Sequence, residues 1–268
     1  MVTIARRDGA GLLIAANAIG GTLVYYAPVA LLLLVWELAA RAGWLSAELL
    51  PSPEATYAAL RDVLASGELA QQAYVSLMRE LSGLVSSVIA GAIIGIAMAR
   101  IEWARLLLRP VITFLYPMPK SALIPILLLW FGLGDMSKIA AVFLGCLLPV
   151  VISSYNGARG VDPLLVWSAR SLGASKLGVL WKIVLPAALP DILSGIRMAL
   201  ALSWLLLVSA ELLLAEKGLG YMIGYYGDTG DYATMFAAII TVILIGAFSD
   251  RLFLHLMAWS LRWRTLSS

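Results

Sequence analysis

Residues Gly160–Ile192 read GVDPLLVWSARSLGASKLGVLWKIVLPAALPDI, a polar, punctuated stretch set between long apolar runs. Asp162 is a good helix N-cap, and Pro163 suits the first helical position, where its missing N–H leaves no bond unmade. Gly173 suits the residue just past a helix end, so the spacing predicts a short helix over Pro163–Leu172. A second helix is predicted to begin near Ser175 and to end around Pro186. Pro190 pushes the residue before it away from helical geometry and leaves Asp191 to cap the next segment. The stretch 162–190 is therefore a preorganised loop. Its Arg170, Lys176 and Lys182 can be solvated, whereas Leu164, Leu165, Trp167 and Leu172 are too apolar to be left in water. Either the protein's own helix ends bury them, or they dock into a groove on a soluble partner.

On either side the chain is of another kind. Of its 268 residues 62% are hydrophobic and only 13% charged, about half the charge of a soluble domain. A spanning helix needs roughly 20 mostly apolar residues. Six segments meet that: Thr22–Ala42, Tyr74–Ala99, Leu106–Leu133, Ser137–Tyr155, Asp191–Leu214 and Tyr232–Trp259. The fold class expected is an all-α membrane protein of six transmembrane helices. Residues 1–21 form a cytoplasmic N-terminus with an apolar lead-in over Gly9–Gly21, and 22–268 one transmembrane domain. The apolar run from Gly9 to Trp36 is too long for a signal-peptide core.

Charge sets the expected orientation. With both termini cytoplasmic, the inner segments hold Arg6, Arg7, Arg100, Arg105, Arg109, Arg159, Arg170, Lys176, Lys182, Arg197, Arg262 and Arg264, twelve cations. The outer segments keep five, Arg41, Arg61, Arg79, Lys138 and Lys217, as the positive-inside rule requires.

Within the spans, Gly83, Ser87, Gly91 and Gly95 recur every four residues, a stripe that lets another helix backbone approach closely. The partner helix could belong to this chain or to a second copy. Three ionisable residues inside spans are candidates for a translocation pathway, because charge is expensive in hydrocarbon: Glu37, Lys120 and Glu211. Glu211 lies fourteen residues past Arg197, about 21 Å along a helix, hence in the outer half. It either makes a structural hydrogen bond to a neighbouring span or lines the path. Lys120 lies among Pro117, Pro119 and Pro125, and broken helix at membrane depth is tolerated where it is buried in protein or borders water. Lys120 either favours anionic cargo or pairs with a carboxylate. In the outer loop, Ser52 and Pro53 open an amphipathic surface helix whose apolar residues are Tyr57, Leu60 and Leu64.

Several chemistries are excluded. No G-x-x-x-x-G-K-[ST] phosphate loop occurs, so the chain cannot cradle ATP in that manner. His255 and Cys146 are the only residues of their kinds, short of a zinc ligand set. The sequence Gly132–Asp135 matches the Gly-x-Gly-Asp of intramembrane aspartyl proteases, but Asp135 and Asp250 are expected at opposite sides of the membrane. An ion-coupled secondary transporter is the stronger rival, although such folds show paired broken helices and only Pro117–Pro125 is broken here.

The central loop resembles the EAA loop of ABC importer permeases. Gly173, Ile183, Leu185 and Pro186 stand at the motif's spacings, Ser168 and Ala169 fill the two Ala places, and Trp167 stands where the motif has Glu. "LPSP" at Leu50–Pro53, "PMPKSALIPILLLWFGLG" at Pro117–Gly134 and "AEKGLGYMI" at Ala215–Ile223 are similar to the branch that imports nitrate, sulfonates and taurine. The resemblance implies the type I importer fold in a bacterial inner membrane. It also implies a second, identical permease subunit, two cytoplasmic ATPase subunits that hold ATP and Mg, and an extracytoplasmic solute-binding protein. Contact with lipid is implied; a cofactor in this chain and contact with nucleic acid are not. It assigns ATPase coupling to Asp162, Pro163, Leu164, Trp167, Ser168, Ala169, Arg170, Leu172, Gly173, Ala174 and Pro186.

Overall fold

A computed structural model describes residues 27–43, 46 and 49–263. The expected lead-in over Gly9–Gly21 and the cations Arg6, Arg7 and Arg264 lie outside the described residues. Helix α1 covers 27–41, α2 Pro53–Ala65, α3 Glu68–Arg100, α4 Glu102–Leu115, α5 Ile124–Phe131, α6 Asp135–Arg159, α7 Pro163–Ser171, α8 Lys176–Val179, α9 Leu185–Leu214, α10 Leu219–Thr229 and α11 Tyr232–Ser260. A 3₁₀ turn at Lys120–Leu123 precedes α5, and a π turn at Leu180–Val184 joins α8 to α9.

Helix α6 is the axis of the bundle, packed between α3 and α9. Small residues make this possible. A Cβ built on Gly83 would lie 2.7 Å from Val142 Cβ, one on Gly91 2.8 Å from Val150 Cβ, and one on Gly95 2.4 Å from the Val151 carbonyl oxygen. Ser87, on the same stripe, is fully buried. The helix received by the stripe is thus α6 of the same chain. Around this seam Val142, Cys146, Val150, Ala199, Leu200, Trp204 and Leu207 form the main core, and the Cys146 thiol donates to the Ala199 carbonyl.

Among the described residues, four helical stretches are long and apolar enough to cross a membrane: Glu68–Arg100, Asp135–Arg159, Lys176–Leu213 and Tyr232–Ser260. A bent pair, Glu102–Leu115 with Lys120–Phe131, would make a fifth. Its two arms meet at 95°, because Pro117 and Pro119 interrupt the hydrogen-bond ladder between them. Of the expected first span, 27–41 is helical. Its Leu31, Leu32, Leu33 and Leu34 are exposed, a surface that suits lipid. Trp36 ties the helix down by donating to the Pro51 carbonyl at 3.0 Å and stacking near Phe236.

Three expectations need correction. The second helix of the central loop does not end at Pro186, nor does Asp191 cap a new helix. The chain stays helical from Lys176 through Pro186 and Pro190 to Leu214. Pro186 falls in the first turn of α9, and the wide π turn before it leaves room for a ring that would clash in a tight α turn. Asp191 instead packs over Gly157 of α6. Next, Arg79 and Lys138, counted among the outer cations, are not solvated charges. Both lie in long helices and are buried. Finally, α2 forms with Ser52 as its cap, but it buries Thr56 and Val63 while Tyr57 and Leu64 stay exposed.

Candidate functional site

Helix α7 is nine residues long and closed at both ends. Asp162 Oδ1 accepts from the Leu164 N–H at 2.8 Å. At the other end Gly173 takes φ +84°, its N–H reaches the Arg170 carbonyl at 2.9 Å, and the Ala174 N–H reaches the Ala169 carbonyl at 3.0 Å. These two bonds make a Schellman motif, which depends on the left-handed residue. Ser175 then caps α8 through the Gly178 N–H. With turns fixed by hydrogen bonds at Asp162, Gly173 and Ser175, the loop is stiff.

One side of α7 is anchored to the bundle. Val166 is buried with Ala158, Val179, Val184, Ala188 and Ile192, and Ala169 and Ala174 pack against that cluster. The other side is bare. Leu164 is 62% exposed, Trp167 62% and Leu172 88%, and Leu165, Ser168 and Arg170 are exposed as well. The protein's own helix ends therefore cover Val166, not the four residues whose burial the sequence left open.

A second feature lies between α4 and the C-terminal half of α6. Along α4 the residues Glu102, Arg105, Arg109, Thr113 and Tyr116 recur every three or four positions, one helical face. The opposite face, Trp103, Leu107, Val111 and Phe114, is apolar and exposed. The polar face borders a largely apolar cavity of about 320 Å³, in which Met98, Ile112, Val151 and Ile152 stand beside Arg109, Thr113, Tyr116, Tyr155 and Asn156. Arg105 pairs with Glu102, and Arg159 donates to the Tyr155 hydroxyl while lying 5.7 Å from its ring centroid. Among the described residues Arg109 has no carboxylate partner. Guanidinium, phenol and amide donors around an open cavity can hold an oxyanion weakly and let it go. Lys120, beyond the break, donates to the Tyr116 carbonyl and lies 5.6 Å from that ring's centroid. It makes no ion pair among the described residues, so the carboxylate pairing considered for it is absent there.

Glu211 sits elsewhere, in a buried polar node. Its Oε1 accepts from Arg79 Nη1 at 2.8 Å, both its oxygens face the Ser76 hydroxyl at 2.8–2.9 Å, and Oε2 accepts from the Gly220 N–H at 2.9 Å. Arg79 also binds Asp135 Oδ1 through Nε at 2.7 Å and Nη2 at 2.6 Å, and the Lys217 carbonyl at 2.7 Å. The node joins α3, the start of α6, the end of α9 and the turn into α10. A Cβ on Gly218, at φ +115°, would fall 2.4 Å from the Glu211 carboxyl, so only glycine lets this turn close over it. The turn is also held by Gln72, which accepts from the Gly218 N–H at 2.6 Å. Farther along α10, Tyr226 donates to Glu68. Burial and the Glu68 carboxylate push the phenol up to about 12, so it stays a donor at neutral pH.

Sequence reasoning missed most of this node. Charge counting takes Arg79 and Lys138 as solvated cations and gives them no partner, and it does not single out Glu80, which is buried and accepts from Ser203 at 2.8 Å. The available signal was that an Arg and a Glu inside one apolar span need partners in another, and Ser203 and Glu211 lie in a second span. Glu37 pairs with Arg41 one turn on and joins neither the node nor the cavity.

The loop, the bent helix and the central seam can be set beside known proteins. Residues 87–259 match the family described as binding-protein-dependent transport system inner membrane component. The chain is 38% identical over 216 residues to the aliphatic sulfonates transport permease protein SsuC of Escherichia coli (strain K12), covering 81% of this chain and 82% of that one. It is 35% identical over 222 residues to the taurine transport system permease protein TauC of the same organism, 81% of each chain. Among solved structures, the MetNI methionine ABC transporter in an inward-facing conformation aligns with a TM-score of 0.64 at 16% identity, over 73% of this chain and 97% of that chain. That likeness shows the fold. The chain accordingly belongs to the family of binding-protein-dependent transport system inner membrane components, the permease subunits of ABC importers.

Proposed function

We propose that this permease moves a small anionic solute of the aliphatic sulfonate and taurine type inward across a bacterial inner membrane. It would do so as one of two identical permease subunits, fed by an extracytoplasmic binding protein and driven by two cytoplasmic ATPases that carry ATP and Mg. The observation that carries the reading is the bare apolar face of α7 on a loop closed by hydrogen bonds at both ends. A face of that composition needs a protein cover, and a stiff helix transmits displacement where a slack loop would absorb it. Closure of an ATPase dimer would push α7, and the buried Val166 side would carry the push into α6 and α9. Trp167 supplies apolar area where a carboxylate is expected, so this contact relies more on burial than on charge.

The topology in this reading is six spans with both termini cytoplasmic, the first span including α1 and the third bent at Pro117 and Pro119. Anionic cargo is supported by the names of the relatives and by the cationic polar face of α4. Arg109, and Lys120 beyond the bend, would then line the exit half of the path. Glu211 acts in this scheme as a structural clamp on the outer end, and Glu37 as a partner for Arg41. A rival carrier driven by an ion gradient would need no stiff cytoplasmic lever.

The test is uptake into proteoliposomes containing the permease, its ATPase and its binding protein. Uptake of a radiolabelled alkanesulfonate that requires ATP inside and ignores a proton or sodium gradient is the expected result. Gradient-driven uptake without ATP would refute the reading.

A further inference from the structure

Two cavities meet where α3 ends. One, of about 330 Å³, is lined by Arg100 at the end of α3, Arg170 near the end of α7 and Lys176 at the start of α8. The other, of about 610 Å³, runs along a flank of α3 past Ile89 and Ile93 and is lined as well by Trp181, next to Leu180. They share Arg100, Ile101 and Leu180, so they are two ends of one depression. Neither is lined by an Asp or a Glu, and none of the three cations makes an ion pair among the described residues. All three are exposed. Three unpaired cations around one cavity repel each other, and each would gain from an anion placed between them.

The groove that continues from them is apolar and lies on a flank of α3 turned away from α6. Ile89 is 57% exposed, Ile93 64% and Trp181 67%, and none belongs to the buried seam. A soluble anion would use the cations and leave the groove empty. An ATPase loop would stay below the membrane surface and could not follow α3 into its apolar length. A molecule with an anionic head and a hydrocarbon tail fits both halves, and Trp181 stands at their junction, where indoles favour the boundary of the bilayer.

We propose that this depression is a binding site for one anionic phospholipid. Its phosphate lies among Arg100, Arg170 and Lys176, and an acyl chain lies along Ile89 and Ile93. Basic pockets between helices at the cytoplasmic boundary take such headgroups by the same chemistry. The position in the cytoplasmic leaflet rests on the orientation proposed above, while the site itself holds in either orientation. The lipid bridges the end of α3 to the turn between α7 and α8, so it neutralises the crowded charge beside the coupling loop.

The experiment uses the purified permease–ATPase complex in detergent, titrated with phosphatidylglycerol or phosphatidylcholine and read by native mass spectrometry. Wild type should retain about one phosphatidylglycerol per permease and prefer it to phosphatidylcholine. Arg100→Gln with Lys176→Gln should weaken phosphatidylglycerol about thirtyfold, about 2 kcal/mol for two surface cations. Ala92→Trp, which fills the groove and leaves every cation in place, should also lower retention several-fold. Equal retention of the two lipids by wild type, or no loss in either variant, overturns the proposal. Displacement of phosphatidylglycerol by millimolar inorganic phosphate would mark a site for free anions and overturn it as well. So would loss of the ATPase from the double variant in lipid-free detergent, which would assign the cations to the protein partner.

Discussion

Replacing Arg79 with Met should be the most damaging single change at the buried polar node, and the geometry sets the order of its neighbours. The Arg79 side chain is 7% exposed and that of Glu211 0%, whereas Asp135 is 66% exposed. Arg79→Met leaves a buried carboxylate with the Ser76 hydroxyl and the Gly220 N–H but without its cation. Breaking a buried pair from one side costs about 3–5 kcal/mol. The hydrogen bonds that Ser76 and Gly220 still donate to Glu211 place the cost near the lower end, about 3 kcal/mol. Glu211→Gln is milder, about 1–2 kcal/mol, because Arg79 retains Asp135 and the Lys217 carbonyl. Asp135→Asn removes a solvent-screened partner and should cost at most about 1 kcal/mol. For a domain of this size, 1 kcal/mol moves the midpoint by roughly 2–4 °C, so Arg79→Met should lower it by about 6–12 °C. Thermal unfolding of the detergent-purified permease, followed by tryptophan fluorescence, measures all three. Equal losses for Arg79→Met and Asp135→Asn, or a Glu211→Gln loss matching that of Arg79→Met, would refute the clamp.

Gly173→Val should uncouple transport while leaving insertion intact, since a β-branched residue at φ +84° costs on the order of 1–3 kcal/mol of strain; the check is ATPase activity against uptake, with uptake lost first. Gly91→Leu should separate α3 from α6, because even a Cβ there falls 2.8 Å from Val150; a drop of about 1–3 kcal/mol would appear as reduced folded yield and an early size-exclusion peak. Lys120→Met and Arg109→Gln should each reduce sulfonate uptake several-fold while leaving basal ATPase activity and yield unchanged, which proteoliposome assays of each variant would measure.

The loop was legible because its instructions are local. Asp162, Pro163, Gly173 and Ser175 each act on backbone within a few residues, so caps and the left-handed turn could be placed from spacing alone. The run of helix through Pro186 and Pro190 was not, because a π turn tolerates a proline that an α turn rejects, and neighbouring side chains do not announce it. The stripe of Gly83, Ser87, Gly91 and Gly95 announced close packing but not its partner. That partner, α6, is defined by Val142 and Val150, more than fifty residues away in sequence. The Glu211 node was illegible for the same reason at greater range. Arg79 looks like a solvated cation near a span's end until Glu211, 132 residues on, is folded against it.

The central claim is that the bare face of α7 sits on a separate ATPase. Leu164→Cys offers a direct test, because the native Cys146 is buried and the new thiol on the 62% exposed position would be the reactive one. Treating the assembled complex with a short linker that reacts with a thiol at one end and, on illumination, with any neighbouring side chain at the other should join permease to ATPase at their summed mass, and Arg61→Cys on α2 should give no such product. Absence of the product from Leu164→Cys, together with labelling of that thiol by an impermeant reagent added outside intact cells, would contradict the account.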